Sequence, residues 1–79
     1  MVIKVLGAGC ARCHETERRV MNTLAEMGIA ADVQKITDIK EIMSFGVLGT
    51  PAIVISDKVK CYGRIPTNDE IKKWVSEEK

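Results

Sequence analysis

Cys10 and Cys13 are separated only by Ala11 and Arg12 and are followed at once by His14. Two thiols at this spacing can close reversibly into a disulfide or hold a soft metal ion. If Cys10 takes the N-cap position of a helix, its sulfur meets backbone N–H groups that have no helical partner, together with the positive end of the helix dipole. Such surroundings lower a cysteine pKa from about 8.5 to about 7 or below. Cys13 then falls at the third helical position, where an N-cap side chain naturally reaches, so the two sulfurs can meet without rearranging the backbone. Arg12, and His14 when protonated, add positive charge beside the thiolate. The chemistry this predicts is attack on a disulfide by Cys10 and resolution of the mixed disulfide by Cys13.

The elements that must hold the pair are legible on either side. Val2-Ile3-Lys4-Val5-Leu6 reads as a short strand and Gly7-Ala8-Gly9 as a flexible turn. A helix is expected from Ala11 to Met27, with Val20, Met21, Leu24 and Met27 as its apolar stripe and Gly28 as its left-handed cap. Residues 29–36 predict a second strand. Asp38 opens a short helix in an acid-x-x-Glu pattern that ends at Gly46. Ala52-Ile53-Val54-Ile55 is a continuous apolar run, suited to a central strand covered on both faces. Ser56-Asp57-Lys58 reads as a hairpin turn into an alternating edge strand, Val59-Lys60-Cys61-Tyr62. Thr67 and Glu70 form a capping box for a last helix that carries Ile71, Trp74 and Val75 on one face. The order is β-α-β-α-β-β-α, and the first two strands are expected to be parallel with a right-handed crossover.

The totals are consistent with one domain spanning residues 1–79. Twelve Lys and Arg against eleven Asp and Glu leave a net charge of +1, and 46% of residues are hydrophobic. Nothing there points to nucleic acid or an anionic membrane. No run approaches the roughly 20 apolar residues of a membrane span. The N-terminal apolar segment is interrupted by Lys4 and stops at Gly7, unlike a secretory leader, so a cytoplasmic location is expected. Three cysteines make a poor structural disulfide framework and favour reactive or metal-binding thiols.

On these residues the chain resembles the thioredoxin superfamily in its shortest form, the small redox-active disulfide proteins of archaea and bacteria. The likeness rests on Cys10-x-x-Cys13 after the first strand, Thr50-Pro51 before the third, Gly63 ahead of the last helix, and the element order. It implies a minimal α/β thioredoxin fold with sheet order 2-1-3-4, helices one and three on one face and helix two on the other. It also implies a cis Thr50-Pro51 bond beside the thiols, which would help to form the substrate groove. The implied protein is a monomeric thiol–disulfide oxidoreductase or electron carrier with no cofactor beyond its own Cys10–Cys13 disulfide. Its partners would be a disulfide-bearing client protein and an upstream reductase.

This chain departs from the family pattern in three places. Gly9 stands where thioredoxins carry Trp, Ala11-Arg12 stands where they carry Gly-Pro, and Lys4 stands where they carry a buried acid. The alternative reading of the same thiols is a Cu(I) or Zn carrier, since small metal-carrying domains also place C-x-x-C between a first strand and first helix. Those domains run β-α-β-β-α-β, whereas here a helix start intervenes at Asp38. Cys10-x-x-Cys13-His14 also matches the haem-attachment pattern of c-type cytochromes, which normally follows export. Of the remaining candidates, Cys61 is expected to be a half-buried spectator on the strand farthest from the thiols. Met21, Met27 and Met43 are expected to fill gaps in the core.

Overall fold

A computed structural model of the chain describes residues 1–9 and 11–78. Its elements are β1 (Val2–Leu6), α1 (Ala11–Met27), β2 (Asp32–Ile36), α2 (Ile39–Ser44), β3 (Ala52–Ile55), β4 (Lys58–Tyr62) and α3 (Asn68–Glu77). The strands form one mixed sheet in the order β2-β1-β3-β4. β1 runs parallel to β2 and antiparallel to β3, and β4 returns antiparallel to β3. This is the expected minimal thioredoxin fold.

The side-chain alternation of the two central strands sorts the core into two layers. Ile3 pairs with Ile55 and Val5 with Ile53; this face packs against Val20 and Leu24 of α1 and Ile71 and Val75 of α3. Leu6 pairs with Ala52 and Lys4 with Val54, and on this opposite face Leu6, Ala52 and Val54 pack with Ile42, Phe45 and Val47. Every residue of β3 is buried, as its unbroken apolar run requires. Each large side chain buried there contributes about 1.5–3 kcal/mol, against about 0–1 kcal/mol for an exposed ion pair, so the core and not the surface charge holds the sheet together.

The helix boundaries follow their caps. Gly28, at φ +67, closes α1 in a Schellman arrangement: its N–H donates to the Ala25 carbonyl at 3.2 Å and that of Ile29 to Leu24 at 3.0 Å. That turn consumes residues that were expected to be strand, and β2 begins only at Asp32. Asp38 caps α2 by accepting the Lys40 N–H at 3.0 Å, one position short of the expected box. Ser56 and Asp57 both lie in the left-handed region, at φ 51 and 66, as a two-residue primed hairpin turn demands.

Two expectations are corrected by packing. Met21 is 53% exposed and Met43 68% exposed. The inward face of α1 is Cys13, Thr16, Val20, Thr23 and Leu24, and Met21 lies about 100° round the helix from Val20. In α2 the inward residue is Ile42, so Met43 turns out; of the three methionines only Met27 packs against the core. Strand β4 does not simply alternate either. Cys61 pairs with Ile53 but Val59 with Val54, so a bulge falls at Lys60 and places Val59 and Cys61 on opposite faces. The Lys60 ammonium reaches Glu78 at 2.8 Å, tying this edge strand to the end of α3.

At the start of α3 the capping box is complete, and Glu70 does double duty. Its carboxylate accepts the Thr67 N–H at 3.0 Å and also takes a bidentate pair from the Arg64 guanidinium. Chiefly because of Arg64, and next because of the Thr67 N–H, the Glu70 carboxyl is lowered from its ordinary 4.5 to about 2. A carboxyl depressed in the folded state adds stability that is fully present above its unfolded pKa and is lost as pH falls through the folded one. Replacing Glu70 with Gln should therefore flatten the loss of stability between pH 4.5 and 2, read by urea denaturation across that range. An unchanged acid limb would show that the pair adds nothing to folding.

Candidate active site

The site is built where β1 ends and α1 begins. The Gly7 N–H donates to the Ile36 carbonyl at 2.9 Å and so extends the ladder between β1 and β2 by one residue. α1 starts at Ala11, and its first turn carries no acidic residue. Cys10 lies outside the described residues. Cys13 is only 1% exposed and its side chain rests directly on Gly7. A Cβ added at Gly7 would overlap the Cys13 Sγ, sit 2.9 Å from the Cys13 Cβ and touch the Thr50 Cβ at 4.0 Å. Gly7 therefore does more than bend the chain: its missing side chain is the space that the Cys13 thiol occupies. By sequence it reads as part of a flexible turn; its place directly after a strand and six residues before the second thiol is the only hint of this role.

Thr50-Pro51 is cis and Pro51 is buried, immediately ahead of β3. The Pro51 carbonyl accepts the Gly63 N–H at 2.9 Å, and a Cβ at Gly49 would lie 3.4 Å from the Gly63 Cα. The two turns thus pack backbone on backbone, with Gly63 at φ +79. Arg12 closes the arrangement from α1, its Nη2 donating to the Gly63 carbonyl at 3.0 Å. Cys13, Thr50, Pro51 and Arg12 are brought to one end of the sheet, with Gly7 and Gly63 as the close-packed points between them. His14 leaves in another direction, its Nδ1 3.4 Å from the Lys35 Nζ at the end of β2.

The carboxylate nearest in sequence is already engaged. Glu15 receives Arg19 at 2.9 Å and Arg18 at 2.8 Å, and these hydrogen bonds, Arg19 first, hold its carboxyl below the ordinary value. Arg19 also donates to the Pro66 carbonyl at 2.9 Å, so α1 grips the segment between β4 and α3 at two points. Lys4, standing where the family keeps its acid, is half-buried on the α2 face, across the sheet from α1. Its ammonium lies 5.2 Å from the centre of the Phe45 ring.

Cys61 is half-buried against the layer formed with α1 and α3. β4 is the outer strand, as expected, but it is not remote. Running antiparallel to β3, it returns toward Pro51, and Cys61 stands two residues before Gly63. Burial is the main cause that pushes the Cys61 thiol up, offset in part by Arg64. A thiol held in its protonated form is a poor nucleophile, which is a sounder ground for a spectator role than distance.

With this geometry in view, comparison with known proteins is direct. Residues 1–76 match the family model for a thioredoxin domain. A thioredoxin of Methanocaldococcus jannaschii is 38% identical over 72 residues, covering 91% of this chain and 83% of that one. A thioredoxin of Methanothermobacter thermautotrophicus is 33% identical over 76 residues, covering 96% and 99%. A probable thioredoxin of Archaeoglobus fulgidus is 32% identical over 69 residues, covering 84% and 75%. The chain belongs to the thioredoxin family, and it is a small, archaeal-type thiol–disulfide oxidoreductase. The metal-carrier alternative is not favoured, since its β-α-β-β-α-β order is not the one observed. Among the described residues no helix is long and apolar enough to cross a membrane.

Proposed function

We propose that this protein reduces disulfides of client proteins in the cytoplasm through a reversible Cys10–Cys13 disulfide, and that an upstream reductase restores the dithiol. The Cys10 thiolate attacks one client sulfur, forming a mixed disulfide and releasing the other as a thiolate that takes up a proton. The Cys13 thiolate then attacks the Cys10 sulfur. The Cys10–Cys13 bond forms, the second client thiolate leaves and is protonated, and two electrons and two protons have passed to the client. Arg12 leaves the first turn of α1, which carries no acidic residue, positively biased, and this favours the thiolate. Thr50 and Pro51 form the wall along which an extended client segment lies.

The observation that carries this reading is the burial of Cys13 on the first turn of α1, packed on Gly7 and beside Thr50. A resolving thiol has to be sheltered from outside disulfides yet within reach of its neighbour in sequence. A redox titration of the purified protein, with and without a strong chelator, tests it. The expected result is one two-electron couple that chelation does not move, with Cys61 still a thiol by mass spectrometry of the oxidised protein. Stoichiometric metal that blocks oxidation until it is chelated would replace this function with metal carriage. A Cys61 disulfide to either motif cysteine would replace the two-thiol mechanism with a three-thiol relay.

A further inference from the structure

Arg12 differs from the other three arginines of the chain. Arg18 and Arg19 share the Glu15 carboxylate, and Arg64 pairs with Glu70. Arg12 makes no ion pair among the described residues; its guanidinium is exposed and donates to a neutral acceptor, the Gly63 carbonyl, at 3.0 Å. Gly63 is in turn bound through its N–H to the Pro51 carbonyl. A full positive charge is therefore held at a defined place, on the Gly63 turn that packs against Pro51. The carboxylates that could quench it, Glu15 and Glu70, are occupied by other arginines. His14 and Lys35 stand together apart from it, toward the end of β2.

We propose that Arg12 is a specificity-determining residue that selects client disulfides with a carboxylate beside the attacked cysteine. The inference rests on the disulfide exchange proposed above and adds the class of client to it. A guanidinium has five N–H donors in a rigid fork. One is committed to Gly63, and the others remain open to a carboxylate, which can accept two in parallel. Because the Gly63 carbonyl already restrains the side chain, less rotamer freedom is lost when the client binds.

The test uses the full chain, pre-reduced, in single-turnover reactions with short peptides that each hold one internal disulfide. The peptides differ only in the residue after the attacked cysteine: Asp, Asn or Lys. The Asp peptide should react about three to five times faster than the Asn peptide at low ionic strength, as an exposed ion pair allows. That ratio should shrink as salt is added, and the Lys peptide should be the slowest. In Arg12→Ala, and in Arg12→Gln, which keeps a polar amide on a shorter stem but carries no charge, the Asp-to-Asn ratio should fall to about one. Arg12→Lys should keep part of it. Equal rates for Asp and Asn peptides with the unsubstituted protein would overturn the proposal. So would a ratio that survives in Arg12→Ala, including one that survives while all three peptides slow together, which is the mark of a purely positioning role. If the protein reduces none of the peptides, the exchange reading fails along with its specificity, and the uncharged Asn peptide separates the two failures.

Discussion

Cys13→Ser should stop turnover and accumulate mixed disulfides joining Cys10 to client proteins. With its resolving thiol gone, the covalent intermediate can be cleared only by a thiol from solution. An adjacent group in the same molecule acts at an effective concentration of many molar, so turnover should fall by on the order of 10³-fold or more. Serine is slightly smaller than cysteine, so the pocket formed with Gly7 can accept it, and the loss should be chemical and not a failure to fold. Non-reducing electrophoresis and peptide mapping of the trapped species check both points. Turnover near that of the unsubstituted protein, or adducts formed through Cys61, would remove Cys13 from the mechanism.

Gly7→Ala should be the most damaging single-methyl change near the site. The added Cβ would overlap the Cys13 Sγ and crowd its Cβ, which is fixed to the first turn of α1. Either the helix start or the end of β1 has to move, and overpacking of this kind typically costs about 1–3 kcal/mol. Urea denaturation should show that loss, and native-state alkylation of Cys13 should become faster as the thiol is pushed out. Gly9→Ala makes the useful contrast. At Gly9 an added Cβ would meet no atom within 4 Å among the described residues beyond its chain neighbours, but the backbone sits at φ +85. Its cost is therefore conformational, about 1–2 kcal/mol, and should leave Cys13 protected. If Gly7→Ala is as stable as the parent and Cys13 stays shielded, the close packing of Gly7 on Cys13 has no energetic consequence.

Much of this molecule could be read from local pattern, because local pattern reports local physics. The span of α1, the extent of β3 and the Thr67–Glu70 box were legible because periodicity, apolar run and cap chemistry act within a few residues. Misreadings arose where a neighbour in space decided the outcome. Met21 and Met43 are as apolar as core residues, and only the direction of the inward face shows that they are exposed. Thr16 lies buried because its hydroxyl donates to the Arg12 carbonyl at 2.9 Å, a satisfaction that composition does not reveal. The bulged Lys60 pairs with Glu78, eighteen residues away, a partner that local alternation cannot reveal.

The same division runs through the site. Sequence alone determined that two thiols, with two residues between them, lie at the junction of a strand and a helix, and that a Thr-Pro precedes an apolar strand. Both are properties of short stretches of chain. Only the tertiary structure decided that Gly7 is the space for Cys13, that Gly63 binds Pro51, and that Arg12 stands over that turn with its charge unquenched. Those facts depend on β4 returning alongside β3 and on α1 lying across the sheet. The contact between Arg12 and Gly63 spans 51 residues of sequence, and contacts at that separation exist only once the sheet has brought its strands into register.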